Sequence, residues 1–353
     1  MVGLFSNNKL QLFGVDVSSS AVKVLQLSKS GEKYKVEYYG VDSLPANAVV
    51  EKNITEVDRV SAAITNAVRR AGNKRKNAAI AVSGSAVITK TINMPADLSD
   101  DELEEQLSLD ANQYIPYPIE EVSLDFNVLG PVENSPEMSH VLIACSRSEN
   151  VDVCVEAIEG AGLTTAIIDV ESFAIEATYH QMKKDLDLED DEIVALFDIG
   201  ATTTTLHIMY QGRSIYTRDQ TFGGKQLTDE IMQRYGLSME EAGLAKRQGG
   251  LPESYEKEVL QSFNDSLIQQ ISRALQFFFS ATEFNNVDKI ILAGGTASIG
   301  GLSELTEQQI GVPVQIANPV KGFALASRID DIAILEDSPA LMTVIGLAMR
   351  TFD

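Results

Sequence analysis

The feature that most limits what this chain can become is a repeat of one short pattern in its two halves. Residues 11–27 read QLFGVDVSSSAVKVLQL and residues 193–209 read IVALFDIGATTTTLHIM. Offset by 182 positions, Asp16 falls on Asp198, Val15 on Phe197, Val17 on Ile199, and Ser18, Ser19, Ser20 on Gly200, Ala201, Thr202. Each copy is an apolar strand, an aspartate, a turn of small residues and a second β-branched strand, the pattern of a β-hairpin. Two matched hairpins so far apart imply two related halves. A boundary is expected near 185–192 (DLDLEDDE), an acidic run that reads as a solvated loop. The expected division is a first lobe at 1–185 and a second at 186–353, and 353 residues suffice for each to bury its own core.

Between the hairpins, strands alternate with helices, so the fold class is α/β with the sheets covered on their faces. In the first half, Val57, Val60, Ile64, Ala67 and Val68 share a helical face that ends at Gly72, a suitable C-cap. A strand-rich stretch over 78–92 follows. Ser99 and Glu102 then form a capping box for a helix with Leu103, Leu107 and Tyr114 inward, stopped at Ile115, Pro116, Tyr117, Pro118. Strands near 122–129 and 140–146, a helix near 149–160 and a strand at 164–170 complete this half. Residues 84–163 have their own order of strands and helix and read as a small inserted α+β subdomain. The second half continues from its hairpin through Gly223 and Gly224 into a helix to Tyr235, with a short helix near 238–247. A long helix over 253–284 then places Val259, Leu260, Phe263, Leu267, Ile271, Leu275 and Phe278 at helical spacing, a core face. A buried strand, Lys289 to Ala293, runs directly into Gly294, Gly295, Thr296.

Composition excludes several classes. A net charge of −23 repels a phosphate backbone, so nucleic acid is not an expected partner. Cys145 and Cys154 have no CxxC spacing, and His140, His180 and His207 never pair at i, i+4, which disfavours structural zinc and disulfides and fits a reducing compartment. Apolar stretches such as 341–349 fall short of the ~20 residues that span a bilayer, and the N-terminus lacks a leader pattern, so the cytosol is expected. The basic cluster Arg69, Arg70, Lys74, Arg75, Lys76 reads as a solvated turn, with docking to anionic lipid as its functional alternative. Met1 to Phe5 are apolar but too few to anchor a chain and read as a frayed terminus.

The chemistry lies in the turns. Small residues there uncover backbone N–H groups and let them approach an anion, as a phosphate cradle requires. An aspartate in such a turn contributes when Mg²⁺ and its waters lie between it and the phosphate. Asp16 and Asp198 would then face a shared metal across a cleft. Lys23, in the second strand of its hairpin, either neutralises a phosphate or is a solvated strand lysine. Gly294, Gly295 and Thr296 deliver a third turn to the start of a helix, suited to a nucleoside and its first phosphate. GGTASIGG lacks Rossmann spacing, and Gly224 Lys225 is not a Walker A motif.

In order, GVDVSSSAVK (14–23), FDIGATTTT (197–205) and IILAGGTAS (290–298) resemble the two phosphate loops and the adenosine block of the actin, heat-shock chaperone and sugar-kinase superfamily. Within it, VDVSSSAVKVLQL, NQYIPYPIEEVSLDF (112–126), FGGKQLT (222–228) and EEAGLAKRQGGLP (240–252) make the whole chain similar to the PilM family, actin-like cytoplasmic components of type IV pilus assembly. The resemblance implies a two-lobed actin-like ATPase fold, with connecting helices that begin near 169–174 and include 343–350. It implies ATP and Mg²⁺ as ligands: Ser18, Ser19, Ser20 and Lys23 on phosphates, Asp16 and Asp198 on Mg²⁺ through water, and Gly200, Ala201 and Thr202 as the opposing loop. Gly223 and Gly224 belong to the same ATP site, and Gly294, Gly295 and Thr296 hold the nucleoside. Lys246 falls where relatives approach the ribose or base, although Gly243 replaces the usual glutamate of that pattern. Glu171 falls where relatives orient the attacking water, with a structural role as its alternative, so turnover is expected to be slow.

The partner implied is the short cytoplasmic N-terminal tail of PilN, bound near the inserted subdomain at Tyr114, Ile115 and Tyr117. Those three residues read equally as a cap on the subdomain's core. Other inner-membrane pilus components and self-association are further partners that the resemblance admits, with peripheral attachment to the inner membrane through them. The competing readings are a filament-forming FtsA-type protein, expected to end in an amphipathic membrane helix where this chain stops at Arg350, Thr351, Phe352, Asp353, and a small-molecule kinase, for which no further aspartate base is evident.

Overall fold

The computed structural model describes residues 11–72, 75–183, 185–186 and 188–352. The readings at Met1 to Phe5 and at Lys74 lie outside them. In chain order the first half holds β1 (Phe13–Val17), β2 (Ala21–Ser30), β3 (Lys33–Ser43), β4 (Val49–Val50), β5 (Asn53–Ile54), α1 (Val57–Ala71), β6 (Asn77–Val82), β7 (Val87–Pro95), α2 (Asp100–Tyr114), β8 (Val122–Val132), β9 (Ser135–Arg147), α3 (Ser148–Gly160), β10 (Thr164–Val170) and α4 (Glu171–Lys183). The second holds β11 (Val194–Ile199), β12 (Thr204–Tyr210), β13 (Arg213–Gln220), α5 (Gly224–Tyr235), α6 (Met239–Gln248), α7 (Gln261–Ala281), β14 (Lys289–Ala293), α8 (Leu302–Ile310), β15 (Val314–Ile316), β16 (Ala324–Leu325), α9 (Asp331–Asp337) and α10 (Met342–Met349).

Two mixed sheets organise these elements, ordered β10-β6-β1-β2-β3-β16 and β13-β12-β11-β14-β15. At the centre of each, a hairpin pairs antiparallel within itself and parallel to a later strand: β1 with β2 and β6, β11 with β12 and β14. Side chains alternate across each strand. Phe13, Val15, Val22 and Val24 therefore turn to one face of the first sheet, where Val60, Ile64 and Ala67 of α1 and Cys154, Ala157 and Ile158 of α3 cover them. On the second sheet, Ala195, Phe197, Ile199, Leu206 and Ile208 turn outward to α5, α6 and α7.

The opposite faces enclose the two connecting helices. Leu25, Leu27 and Val36 pack on Val344, Ile345 and Ala348 of α10, while Val194, Leu196, Met209 and Ile291 pack on Ile175, Tyr179 and Met182 of α4. The architecture is α/β and two-lobed, with α4 and α10 between the sheets. These helices cross at Gly346, where a Cβ would lie 1.9 Å from the Ala174 carbonyl oxygen. Backbone meets backbone there, which requires glycine. All eight residues of α10 are buried. The one helical run among the described residues long and apolar enough to cross a bilayer, Asp331–Phe352, is 67% buried over its most apolar window and serves as this internal layer.

Three boundaries differ from expectation. The separate small sheet, β7-β9-β8, spans Val87 to Arg147 and carries α2, with a core of Ile92, Met94, Leu103, Leu107, Val141 and Ile143. Helix α3, expected inside the insert at 84–163, instead covers the first sheet, because its apolar residues Cys154, Ala157 and Ile158 meet α1. The end of the chain, expected with the second lobe, returns to the first: β16 pairs with β3, and α10 lies under β2. The long helix begins with a π-helical turn, Glu256–Leu260.

Candidate functional site

Both hairpins point their aspartates toward the layer of connecting helices. Asp16 sits in β1 opposite Lys23 in β2, and Asp198 in β11 opposite Thr205 in β12. Lys23 Nζ donates to Asp16 Oδ2 at 2.7 Å, with both side chains 13% exposed. Burial works against the Lys23 charge, but Asp16, aided by Asp198 and Asp337, raises its pKa overall. Asp337 also accepts a 2.7 Å hydrogen bond from the Tyr39 hydroxyl, which burial and that carboxylate hold strongly protonated. Burial pushes the Asp198 carboxyl up to about 6; Lys52 and Lys23 oppose the rise, and Glu171 and Asp16 add to it. Asp16, Asp198, Glu171, Lys23 and Lys52 thus share one electrostatic environment, so the residues expected as metal-facing and catalytic do come together.

The remaining turns are stitched to the second hairpin. The amides of Gly224 and Lys225, opening α5, donate to the carbonyls of Gly200 (3.0 Å) and Ala201 (2.7 Å). A Cβ on Gly223 would lie 2.5 Å from the Gly200 carbonyl oxygen, so only glycine permits that approach. Thr296 donates its hydroxyl to Gly200 O (2.9 Å) and its amide to Ile199 O (3.1 Å). Gly294 has φ 85°, and a Cβ there would meet Ile199 O at 2.4 Å and Asp198 Oδ1 at 2.5 Å, so the third glycine turn lies directly against Asp198. Gly295 follows in the same turn, and Thr202 lies beside Ala201 in the second loop. In the first loop, Ser18 closes the turn onto Ala21 O, Ser20 O accepts from the Leu44 amide, and Ser19 lies between them.

Lys246 is placed differently from its expected role. Its ammonium donates to Gly224 O and Thr228 Oγ1, both at 2.9 Å, binding α6 to the start of α5. Burial, with Arg247 nearby, pulls its pKa down to about 8. A Cβ at Gly243, one turn away, would meet nothing within 4 Å, so the space beside Lys246 is open.

Glu171 opens α4 and is already engaged: Lys52 Nζ donates to its Oε2 at 2.7 Å and to Thr205 Oγ1 at 2.8 Å, with Asp219 Oδ1 at 3.7 Å. Burial opposes the Lys52 charge, but Glu171 and Asp219 raise its pKa strongly. Thr205 in turn donates to Asp219 Oδ1 at 2.7 Å. Sequence reasoning missed Lys52 and Asp219. The available signal was the run VVEKNI, two short strands around a two-residue turn. Glu51 (φ 48°) and Lys52 (φ 65°) both occupy the left-handed region in that turn, which costs non-glycine residues roughly 1–3 kcal/mol each.

The loop expected to bind a partner is partly internal. Ile115 is 4% exposed and joins Ala111 and Cys145 in a small core, so its expected partner contact is corrected to a packing role. Tyr114 packs on the same core, with the Lys90 ammonium over its ring at 5.4 Å from the centroid. Tyr117 is half-buried, with the Arg147 guanidinium 4.6 Å from its ring centroid. Ile115, Tyr117 and Glu120 line an open depression. Within the basic cluster, Arg70 pairs with Asp42 at 2.8 Å and Arg69 donates to Asn66. Among the described residues, no three His, Cys, Asp or Glu side chains converge as direct metal ligands.

Known proteins share this architecture. A solved PilM-PilN type IV pilus biogenesis complex contains a chain 27% identical, with 98% of this chain and 99% of that chain covered and a TM-score of 0.78. The ethanolamine utilization protein EutJ of Carboxydothermus hydrogenoformans is 17% identical over 97% of this chain and 91% of its own, with a TM-score of 0.57, a likeness of fold. Cell division protein FtsA of Bacillus subtilis is 24% identical over 361 aligned residues, 89% of this chain and 80% of its own. The fold is that of the actin-like ATPases. The family model for the type IV pilus assembly protein PilM matches residues 14–352, and the chain belongs to that family.

Proposed function

We propose that the chain binds Mg²⁺-ATP between its lobes and serves as a cytoplasmic scaffold of the type IV pilus inner-membrane assembly platform. The observation that carries this reading is the pair of repeat-related aspartates, Asp16 and Asp198, in one electrostatic environment with Lys23 and Lys52. Two partly buried carboxylates, with no third direct ligand among the described residues, suit magnesium, which keeps its waters and takes few protein carboxylates beside substrate phosphates. When bound, the ion neutralises phosphate charge. Ser18, Ser19, Ser20 and Lys23 hold phosphates from one lobe, and Gly200, Ala201 and Thr202 from the other. Gly294, Gly295 and Thr296 hold the nucleoside. Gly223, Gly224 and Lys246 keep that wall in place through their bonds to each other and to Gly200. Glu171 is the group suited to orient water and is already held by Lys52, so turnover stays far below the ~1–100 s⁻¹ of kinases.

The partner is the cytoplasmic N-terminal tail of PilN, a reading supported by likeness to the chain of the solved complex. It docks on the small inserted unit, about 84–147, near Tyr117, and attaches the protein peripherally to the inner membrane for pilus assembly and twitching motility. Calorimetry of the double variant Asp16→Ala, Asp198→Ala tests the nucleotide site. Mg²⁺-dependent ATP binding is expected to weaken at least ~100-fold, and unchanged affinity in a folded double variant would sink the reading.

A further inference from the structure

The two hairpins share a pattern and an aspartate, but they differ at the position that faces that aspartate. The offset that places Asp16 on Asp198 places Lys23 on Thr205, and each lies directly opposite its aspartate. The first hairpin carries its own cation. The second has a threonine there, and the ammonium that reaches this threonine is Lys52, from the other lobe.

The surrounding chain is built to deliver it. Ala48 and Val49 are buried in the first core and root the β4–β5 hairpin. Thr55 and Glu56 donate their amides to Ala48 O at 2.9 and 3.2 Å, closing its base. Its tip is the Glu51–Lys52 turn with both φ positive, the conformation of a tight two-residue hairpin normally given to Asn-Gly. Two residues poorly suited to that turn occupy it, and one of them crosses between lobes to Glu171 on the connecting helix and to Thr205 on the second hairpin. Lys52 and Glu171 are each 19% exposed, beyond the regime of freely solvated surface pairs.

We propose that Lys52 is an interlobe latch: a positioning residue of the first lobe that supplies the cation missing from the second hairpin, so that lobe closure depends on it. Lys52 ties the lobes through Glu171 and Thr205 by contacts among the protein's own groups. With phosphates between the hairpins, the same ammonium stays over the second loop and slows their escape. The escape rate rests on the ATP reading given above; the closure of the ligand-free protein does not.

The test has two arms. In the ligand-free protein, nitroxide labels at exposed Glu32 and Glu253, with Cys145 and Cys154 replaced by Ser, report the distance between lobes. Wild type should show one narrow distance, Lys52→Met a broader and longer distribution, and Lys52→Arg a return toward wild type. Thr205→Val with Asp219→Asn removes the second lobe's receiving groups, leaves Glu171 in place, and should reproduce Lys52→Met, which guards against a fold defect peculiar to the β4–β5 hairpin. In stopped flow with a fluorescent ATP analogue and Mg²⁺, Lys52→Met should release nucleotide about 10-fold faster or more. Unchanged distances in both variants overturn the latch whatever the nucleotide result. Failure of wild type to bind nucleotide, with the distances shifted as expected, overturns the ATP reading and leaves the latch standing.

Discussion

His207 is a buried imidazole, 1% exposed, whose two ring nitrogens have no hydrogen-bond partner among the described residues. Burial, reinforced by the Lys52 charge and only partly offset by Asp219, lowers its pKa to about 3. An unfolded chain binds that proton near the ordinary value of about 6.5. Between about 6.5 and 3 the unfolded state therefore holds more protons, and the folded state loses stability as pH falls through that window, by up to about 1.4 kcal/mol per pH unit. Asp198 works the other way below about 6, because its raised carboxyl takes up a proton in the folded state first. Urea denaturation of His207→Leu against wild type isolates the imidazole. The variant's advantage should be small at pH 7.5 and widen on acidification below 6.5; a constant difference from pH 7.5 to 5 would refute the assignment. At this scale the repeat made Asp16 and Asp198 legible, because like sequence copied like geometry. Lys52 was not legible, since its partners lie 119 and 153 residues along the chain and no local pattern encodes that distance.

Among elements, the crossing of α4 and α10 tolerates least. A methyl group at Gly346 would sit 1.9 Å from the Ala174 carbonyl oxygen, and neither backbone can step aside without pulling a helix from its sheet. Gly346→Ala should therefore cost about 3 kcal/mol, the upper end for overpacking. Gly84→Ala, where a Cβ meets nothing within 4 Å, should change stability by less than about 0.5 kcal/mol. Equal denaturation midpoints for the two variants would contradict this packing. The sequence located most elements well: the capping box at Ser99 and Glu102 and the left-handed Gly72 both form as expected. It misassigned α3 because an apolar helix face declares that it is buried and not which sheet buries it. The same limit hid the return of α10 to the first lobe.

As a whole, the molecule keeps the small sheet apart from the paired hairpins. The small sheet with α2 has cores of its own, distinct from those beside the hairpins. Under the proposed function, a partner docked there need not disturb the proposed nucleotide site directly. Tyr117→Ala should weaken binding of a PilN tail peptide roughly 10-fold while leaving ATP affinity and melting temperature nearly unchanged, by calorimetry and thermal denaturation. If stability and ATP binding fall together with the peptide, Tyr117 is a structural cap on Ile115 and the docking assignment is wrong.

The enclosure of α10 also governs how the chain matures on the ribosome. Gly14 in β1 lies against Val344 and Leu347, and the Leu12 amide donates to the Thr351 hydroxyl, a link across 339 residues. The inner face of the first sheet is synthesised early and covered last. At about 5–20 residues per second, roughly 15–65 s pass between emergence of β1 and emergence of the helix that shields it. Throughout that interval Leu25 and Leu27 lack their native cover, so the nascent N-terminal half is an aggregation hazard until α10 emerges.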